Sequence, residues 1–178
     1  MGQWSQKHTL CAWMAMSFLQ MEKHIESLSP DQFTIYAIDA PGHGNSEGKI
    51  SNVPLFEKAI QAVSIHIGEI HSIVSHSIGS FSALYFVDQN PDRQPKKLVA
   101  LASPNSIEDF LECYFKKLKL TSTTISNFKS YFTKYTAKET SYFTLANVIK
   151  DNDADGLIIH NNEDKTLNFD YSKKLYSL

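Results

Sequence analysis

Five short apolar runs, each followed by a loop or a helical pattern, constrain this chain more than any other feature. They are "HTLCA" at 8–12, "FTIYAID" at 33–39, "HSIVS" at 71–75, "KLVALAS" at 97–103 and "GLIIHN" at 156–161. Their residues are apolar on both faces rather than alternating. That pattern suits strands buried on both sides of a parallel sheet. Helical spacing lies between them. Residues 19–28 form a short pattern. "VPLFEKAIQAVSIHI" places Leu55, Phe56, Ala59, Ile60, Val63 and Ile67 on one face, with Ser51 or Asn52 as cap and Pro54 in the first turn. Residues 78–89 form a third. Alternation of this kind predicts an α/β fold, a mostly parallel sheet flanked by helices.

The alternation stops between Pro104 and Asp155. Ser106 and Asp109 make a capping box ahead of Phe110, Leu111, Tyr114 and Leu118. "ISNFKSYFTKY" repeats the helical period through Ile125, Phe128, Phe132 and Tyr135. The expected organisation is a sheet core at 1–104 and 156–178, with a helical cap at 105–155, in one domain. Nine of the chain's 21 aromatics fall within 105–150. An insertion at the C-terminal edge of a sheet overlies the usual ligand crevice. Most of these rings are expected in the insertion's own small core, with a few facing a pocket.

Composition narrows the class. A net charge of −2 argues against a dedicated nucleic-acid binder. Two cysteines are too few for a disulfide framework, so a reducing, cytoplasmic setting is the expectation. "LCAWMAMSFL" at 10–19 is too short to span a bilayer. It follows Lys7 and His8 as the h-region of a signal peptide would, but no clear small-x-small cleavage site comes after it.

The chemistry is concentrated in "HSIVSHSIGSFSALYF" at 71–86. A serine nucleophile must stand clear of its sheet on a sharp strand-to-helix turn. Such a turn admits only small residues two positions before and two after the serine. Ser75 and Gly79 meet that need around Ser77, and Ser80, Ser82 and Ala83 let the helix approach closely. On its own, S-x-S-x-G does not separate a nucleophile from an ordinary strand-to-helix junction.

Its neighbours do. "YAIDAPGHGNSEG" at 36–48 resembles the D-x-P-G-H-G-x-S loop of the α/β-hydrolase family, through Asp39, Pro41, Gly42, His43, Gly44 and Ser46. "LIIHNNEDKTL" at 157–167 is similar to the family's H-G-x-x-D segment, through His160 and Asp164, with Asn161 in place of glycine. "LCAW" at 10–13 resembles its L-H-G-W oxyanion strand, with Cys11 and Ala12 in place of His and Gly. A dinucleotide loop is the competing reading of "GHGNSEG". It fails because the G-x-G-x-x-G spacing is not met and no helix opens at once.

The resemblance implies a serine hydrolase acting on an ester, thioester or amide through an acyl-serine intermediate, without a cofactor. Ser77 would be the nucleophile and Asp164 the acid that orients a histidine. The backbone N–H groups of Ile78 and Trp13 would form the oxyanion hole. The expected substrate is a small molecule with an apolar acyl or aryl group, given the aromatic cap. No histidine spacing suits a metal. The family order is Ser, Asp, His, yet the 14 residues after Asp164 hold no histidine. His43 and His160 are the candidates to line the pocket. The expectation is therefore slow hydrolysis of short aryl esters, changed less than about tenfold by Ser77→Ala. A non-catalytic or truncated relative, acting as a binding or interaction module, is the alternative.

Overall fold

The computed structural model describes residues 8–14, 25, 26, 28, 31–149 and 154–177. The expected helix over 19–28 lies almost wholly outside the described residues. Five strands are present: β1 (His8–Met14), β2 (Phe33–Asp39), β3 (Ser72–His76), β4 (Lys97–Leu101) and β5 (Asp155–Ile159). They form one sheet in the order β2-β1-β3-β4-β5, and every pairing is parallel. All strands therefore end at the same edge.

Helices α1 (Val53–Ile67) and α2 (Ile78–Gln89) follow β2 and β3. Asn52 caps α1, its side chain accepting the Leu55 N–H at 3.0 Å. The expected face of α1 is found with Phe56 and Ile60 buried on it, together with Glu57, whose carboxylate accepts from Asn90 at 2.9 Å. Helix α2 is buried continuously from Gly79 to Val87. Small residues make that possible. Ser80 and Ser82 satisfy their hydroxyls on the carbonyls of Leu101 (3.2 Å) and Ile78 (2.9 Å), so the helix reaches the sheet without orphaned polar groups.

The insertion between β4 and β5 contains α3 (Ile107–Lys117), α4 (Ser122–Thr136) and the short α5 (Leu145–Val148); α6 (Asp170–Tyr176) follows β5. The capping box is formed as read. Ser106 Oγ accepts the Asp109 N–H at 3.0 Å and donates to the Asp109 carboxylate at 2.7 Å. The insertion is tied to the core through Phe143, fully buried, which lies 5.4 Å from the Tyr85 ring and 5.6 Å from Phe132. Lys138 sits 3.8 Å over the Tyr142 ring, a further clamp at the end of α4. No helix among the described residues is long and apolar enough to cross a membrane.

Candidate active site

Ser77 stands at the junction of β3 and α2 with φ +54° and ψ −128°. A side chain rarely adopts this conformation, which costs about 1–3 kcal/mol. The cost is met by what surrounds the turn. The Ser77 N–H donates to the Leu101 carbonyl at 2.8 Å, extending the β3–β4 ladder one bond beyond the strand. The Ser77 carbonyl accepts from the Ser80 N–H at 2.9 Å and starts α2. Ser75, fully buried, donates to the Val99 carbonyl at 3.1 Å; its hydroxyl supplies what a glycine at this place would leave out. Ile78 opens α2, where a backbone N–H has no preceding helical carbonyl to bond.

The loop after β2 explains its own sequence. Asp39 ends the strand, and its carboxylate accepts the Asn45 N–H at 3.0 Å. Gly44, at φ +50°, packs against that carboxylate so closely that a Cβ would overlap it. Ser46 Oγ donates to the Asp39 carbonyl at 2.5 Å. Gly42 and Gly48 also hold positive φ, at +74° and +105°. The result presents His43, half-buried, beside Phe56, with ring centroids 5.5 Å apart. Its Nδ1 lies 3.2 Å from the Pro41 carbonyl; because that oxygen only accepts, Nδ1 carries the proton.

His43 and Ile78 line one cavity of about 260 Å³. Val53 and Phe56 of α1 wall it on the core side. Ile107, Phe110, Phe128 and Phe132 wall it from the insertion. Of the insertion's aromatics expected to face a pocket, some of Phe110, Tyr114, Phe128 and Phe132, the three phenylalanines line this cavity and Tyr114 does not. The sequence reading missed Tyr131 and the stretch from Ile50 to Phe56. The signal for the latter was available: Ile50 follows a glycine-rich loop with no strand or helix partner of its own, and α1 begins with apolar Val53 rather than a polar turn.

Asp164 lies beyond β5, two strands from β3 at the same sheet edge. It borders a different space, a polar cleft of about 400 Å³ shared with Asp109, Cys113 and Tyr171. Burial raises its acidity threshold, but the N–H groups of Leu167 (3.0 Å) and Thr166 (2.7 Å), and then His160, outweigh burial and hold the carboxyl below the usual aspartate range. Helix α3 contributes to both the cavity and the cleft.

His160 does not share the cavity with His43. Its side chain is fully enclosed between β5 and α6. Nδ1 is 2.6 Å from Ser172 Oγ; Nε2 is 3.2 Å from the Leu167 carbonyl and 3.4 Å from Asp164 Oδ2. Both acceptors at Nε2 require its proton, so Nδ1 accepts from Ser172. Both nitrogens are thus committed. Trp13 stands inside β1, level with Ile38 and Ser75, on the strand beside the elbow. Among the described residues, no hydrogen bond joins a histidine to Ser77 Oγ, and no three His, Cys, Asp or Glu side chains gather as a metal site.

A strand–serine–helix turn with a buried small-residue helix, on a parallel sheet of this order, defines an α/β-hydrolase fold. A sequence model of the serine aminopeptidase S33 family matches residues 10–173, and the chain belongs to that family. No curated protein sequence matches it. Its structure is similar to that of a monoacylglycerol lipase from Paleococcus ferrophilus, at 18% identity and a TM-score of 0.67, covering 95% of this chain and 79% of the lipase. It is also similar to a hydrolase from Pseudomonas aeruginosa PA01, at 15% identity and a TM-score of 0.65, covering 97% and 78%. Mouse alpha/beta hydrolase domain-containing protein 10 gives 13% identity and a TM-score of 0.65, covering 95% and 74%.

Proposed function

We propose that the chain is a serine hydrolase that acts on a carboxylic ester with an apolar acyl or aryl group. The observation that supports this best is Ser77, held at φ +54° at the first turn of α2, one residue from a wall of the apolar cavity. The insertion would act as a cap, and a small apolar group would fill the space beneath it. Ser77 Oγ would attack the ester carbonyl and pass its proton, finally, to the leaving alkoxide. The developing oxyanion would take hydrogen bonds from the N–H of Ile78 and from the backbone at Trp13. Water would then cleave the acyl-serine and return the free acid and the serine hydroxyl. Asp164 is the acid of this reading.

The histidines set the rate. His160 has both nitrogens engaged, and no described histidine bonds Ser77 Oγ, so the hydroxyl reacts as a weak nucleophile. A broken catalytic unit retains about 10³ to 10⁴ over water through its oxyanion hole and binding. Slow turnover of an activated aryl ester by this chain is expected. The test is prolonged incubation with an alkyl phosphonofluoridate, followed by peptide mass spectrometry. Modification of Ser77 and of no other serine supports the reading; modification elsewhere, or none, overturns it. Steady-state rates for wild type, Ser77→Ala, His43→Ala and His160→Ala on one ester add the mechanism. Brisk turnover lost in Ser77→Ala and His43→Ala would assign the base to His43.

A further inference from the structure

The two outer strands of the sheet are unlike. Strand β2 leaves only Thr34 and Ala37 exposed. Strand β5 leaves Asp155, Gly156, Leu157 and Ile159 exposed, with Leu157 at 54% and Ile159 at 51%. Among the described residues nothing pairs with its outer side. An open strand edge is commonly blunted by lysine, proline, a bulge or a covering element. Strand β5 contains neither lysine nor proline, and its register with β4 runs without a bulge from Asp155 to Ile159.

The ladder determines which backbone groups are left over. The Asp155 N–H donates to the Lys96 carbonyl at 3.0 Å, and the Ile159 carbonyl accepts from the Ala102 N–H at 2.8 Å. The odd-numbered residues of β5 therefore face β4. With the two-residue period of a strand, Gly156 and Ile158 turn their N–H and C=O groups outward. These two residues are symmetric about Leu157. A second β5 running antiparallel, with Leu157 on a twofold axis, brings Gly156 of one copy opposite Ile158 of the other, and each such pair exchanges both its hydrogen bonds. The side chains match too. A Cβ on Gly156 would meet nothing within 4 Å, and Gly156 lines a hollow of about 200 Å³ together with Leu98, Ala100 and Leu175. Ile158 of the second copy is the side chain that this pairing sets over Gly156. On the opposite face Leu157 meets its own copy across the axis, while Asp155 at the strand end keeps Lys97 at 3.5 Å.

We propose that the chain forms a twofold dimer by pairing β5 with β5 of a second copy, which doubles the five-stranded sheet. A second copy fits better than an unrelated strand because β5 supplies both halves of the match. It has a glycine with open space above it and, two residues on, an isoleucine to fill that space. An unrelated strand would satisfy the backbone alone. The pairing also takes Leu157 out of water on both copies, where each now exposes it.

The test is sedimentation equilibrium of the whole chain between about 1 and 100 µM, the range in which a small interface associates. The mean mass should rise from 20.1 kDa towards twice that value. Leu157→Lys sets like charges opposite each other at the axis and should weaken the dimer about tenfold or more. Gly156→Pro removes an outward N–H and occupies the space meant for Ile158 of the second copy, and it should weaken the dimer about as much. Ile65→Lys, at an exposed apolar side chain on α1, should leave the dimer unchanged. Circular dichroism checks that each variant folds; should Gly156→Pro fail to fold, Leu157→Lys carries the test. Added cysteines read the register, with wild type and its own Cys11 and Cys113 as the baseline. Leu157→Cys should give a disulfide-joined dimer under oxidised glutathione, because opposed Cα atoms in a pair of this kind lie about 4.5 Å apart. Ile159→Cys, similarly exposed, faces Asp155 of the second copy instead and should not cross-link. The proposal is overturned if the chain stays monomeric throughout that range, if Leu157→Lys dimerises like wild type, or if Ile159→Cys cross-links as readily as Leu157→Cys. A mass that grows beyond two copies overturns it as well, since a twofold pairing of one edge closes.

Discussion

Two loops at the same edge of the sheet use one device and reach opposite ends. Each has an aspartate whose carboxylate accepts backbone N–H groups from the loop beyond it: Asp39 takes Asn45, and Asp164 takes Thr166 and Leu167. Each also has a histidine four residues away. In the first loop, His43 has one nitrogen on a carbonyl and its ring against the cavity. In the second, His160 is enclosed and has partners on both nitrogens. Proximity of an imidazole to a carboxylate at a sheet edge therefore does not make a proton relay. What decides is how many of its hydrogen bonds the fold has already taken.

The largest test of that contrast is removal of the two rings. His160→Ala should destabilise the chain by about 4 kcal/mol, because it opens a buried hole and strips partners from Ser172 and the Leu167 carbonyl. His43→Ala should cost under about 1.5 kcal/mol, since water reaches its half-buried place. Urea unfolding of both variants checks this. Equal costs would break the comparison and mean that His43 is structural too.

Gly44→Ala should come next, at about 2–3 kcal/mol. A Cβ there forces the Asp39 carboxylate off the Asn45 N–H, and φ +50° adds strain of its own. The same measurement reads it. A cost below about 1 kcal/mol would show that the first loop is not pinned by its aspartate.

Much of this architecture was legible before the structure. The five apolar runs became the five strands, and helices α1 and α2 fall on the residues their periodicity marked. Local chemistry explains that success: Asn52 and Ser106 accept N–H groups three positions on, and Ser82 donates to a carbonyl four positions back. The expected strand ends were less accurate. "KLVALAS" and "GLIIHN" stop at Leu101 and Ile159, because Ala102 then turns to φ +47° while its N–H still bonds the Ile159 carbonyl. The partners that separate His43 from His160 were not legible. The separation depends on Ser172 and Leu167, 12 and 7 residues beyond His160, and on α3 and α4 sharing a cavity with Ile50–Phe56. Such contacts follow from packing rather than from spacing.

A pH titration sharpens the second loop. The folded-state pKa of Asp164 lies below the ordinary value of 3.8, so the folded chain holds its charge where the unfolded chain has begun to protonate. A depressed carboxylate contributes stability that is fully present above the unfolded pKa and is lost as pH falls through the folded one. The stability gap between wild type and Asp164→Asn should thus be constant above about pH 5 and shrink as pH falls below 3.8. A gap that does not vary with pH would mean that Asp164 acts there only through its shape.

The smallest effect separates two hydroxyls that look alike. Ser46 donates to the Asp39 carbonyl and Ser172 shares a hydrogen bond with His160. Ser46→Ala should cost about 0.5–1 kcal/mol, because Asp39 is half-buried and solvent replaces much of the lost bond. Ser172→Ala should cost about 1–2 kcal/mol, because Ser172 is buried and Nδ1 loses its donor where water does not reach. The ring cannot escape by moving its proton to Nδ1. That would turn the Nε2 lone pair toward the Leu167 carbonyl and the Asp164 carboxylate, which are both acceptors. Nitrogen-15 shifts of His160 should accordingly report the Nε2–H form in wild type and in Ser172→Ala alike. A switch to Nδ1–H in the variant would show that Asp164 and Leu167 do not hold the proton, and that the second loop leaves its imidazole as available as the first.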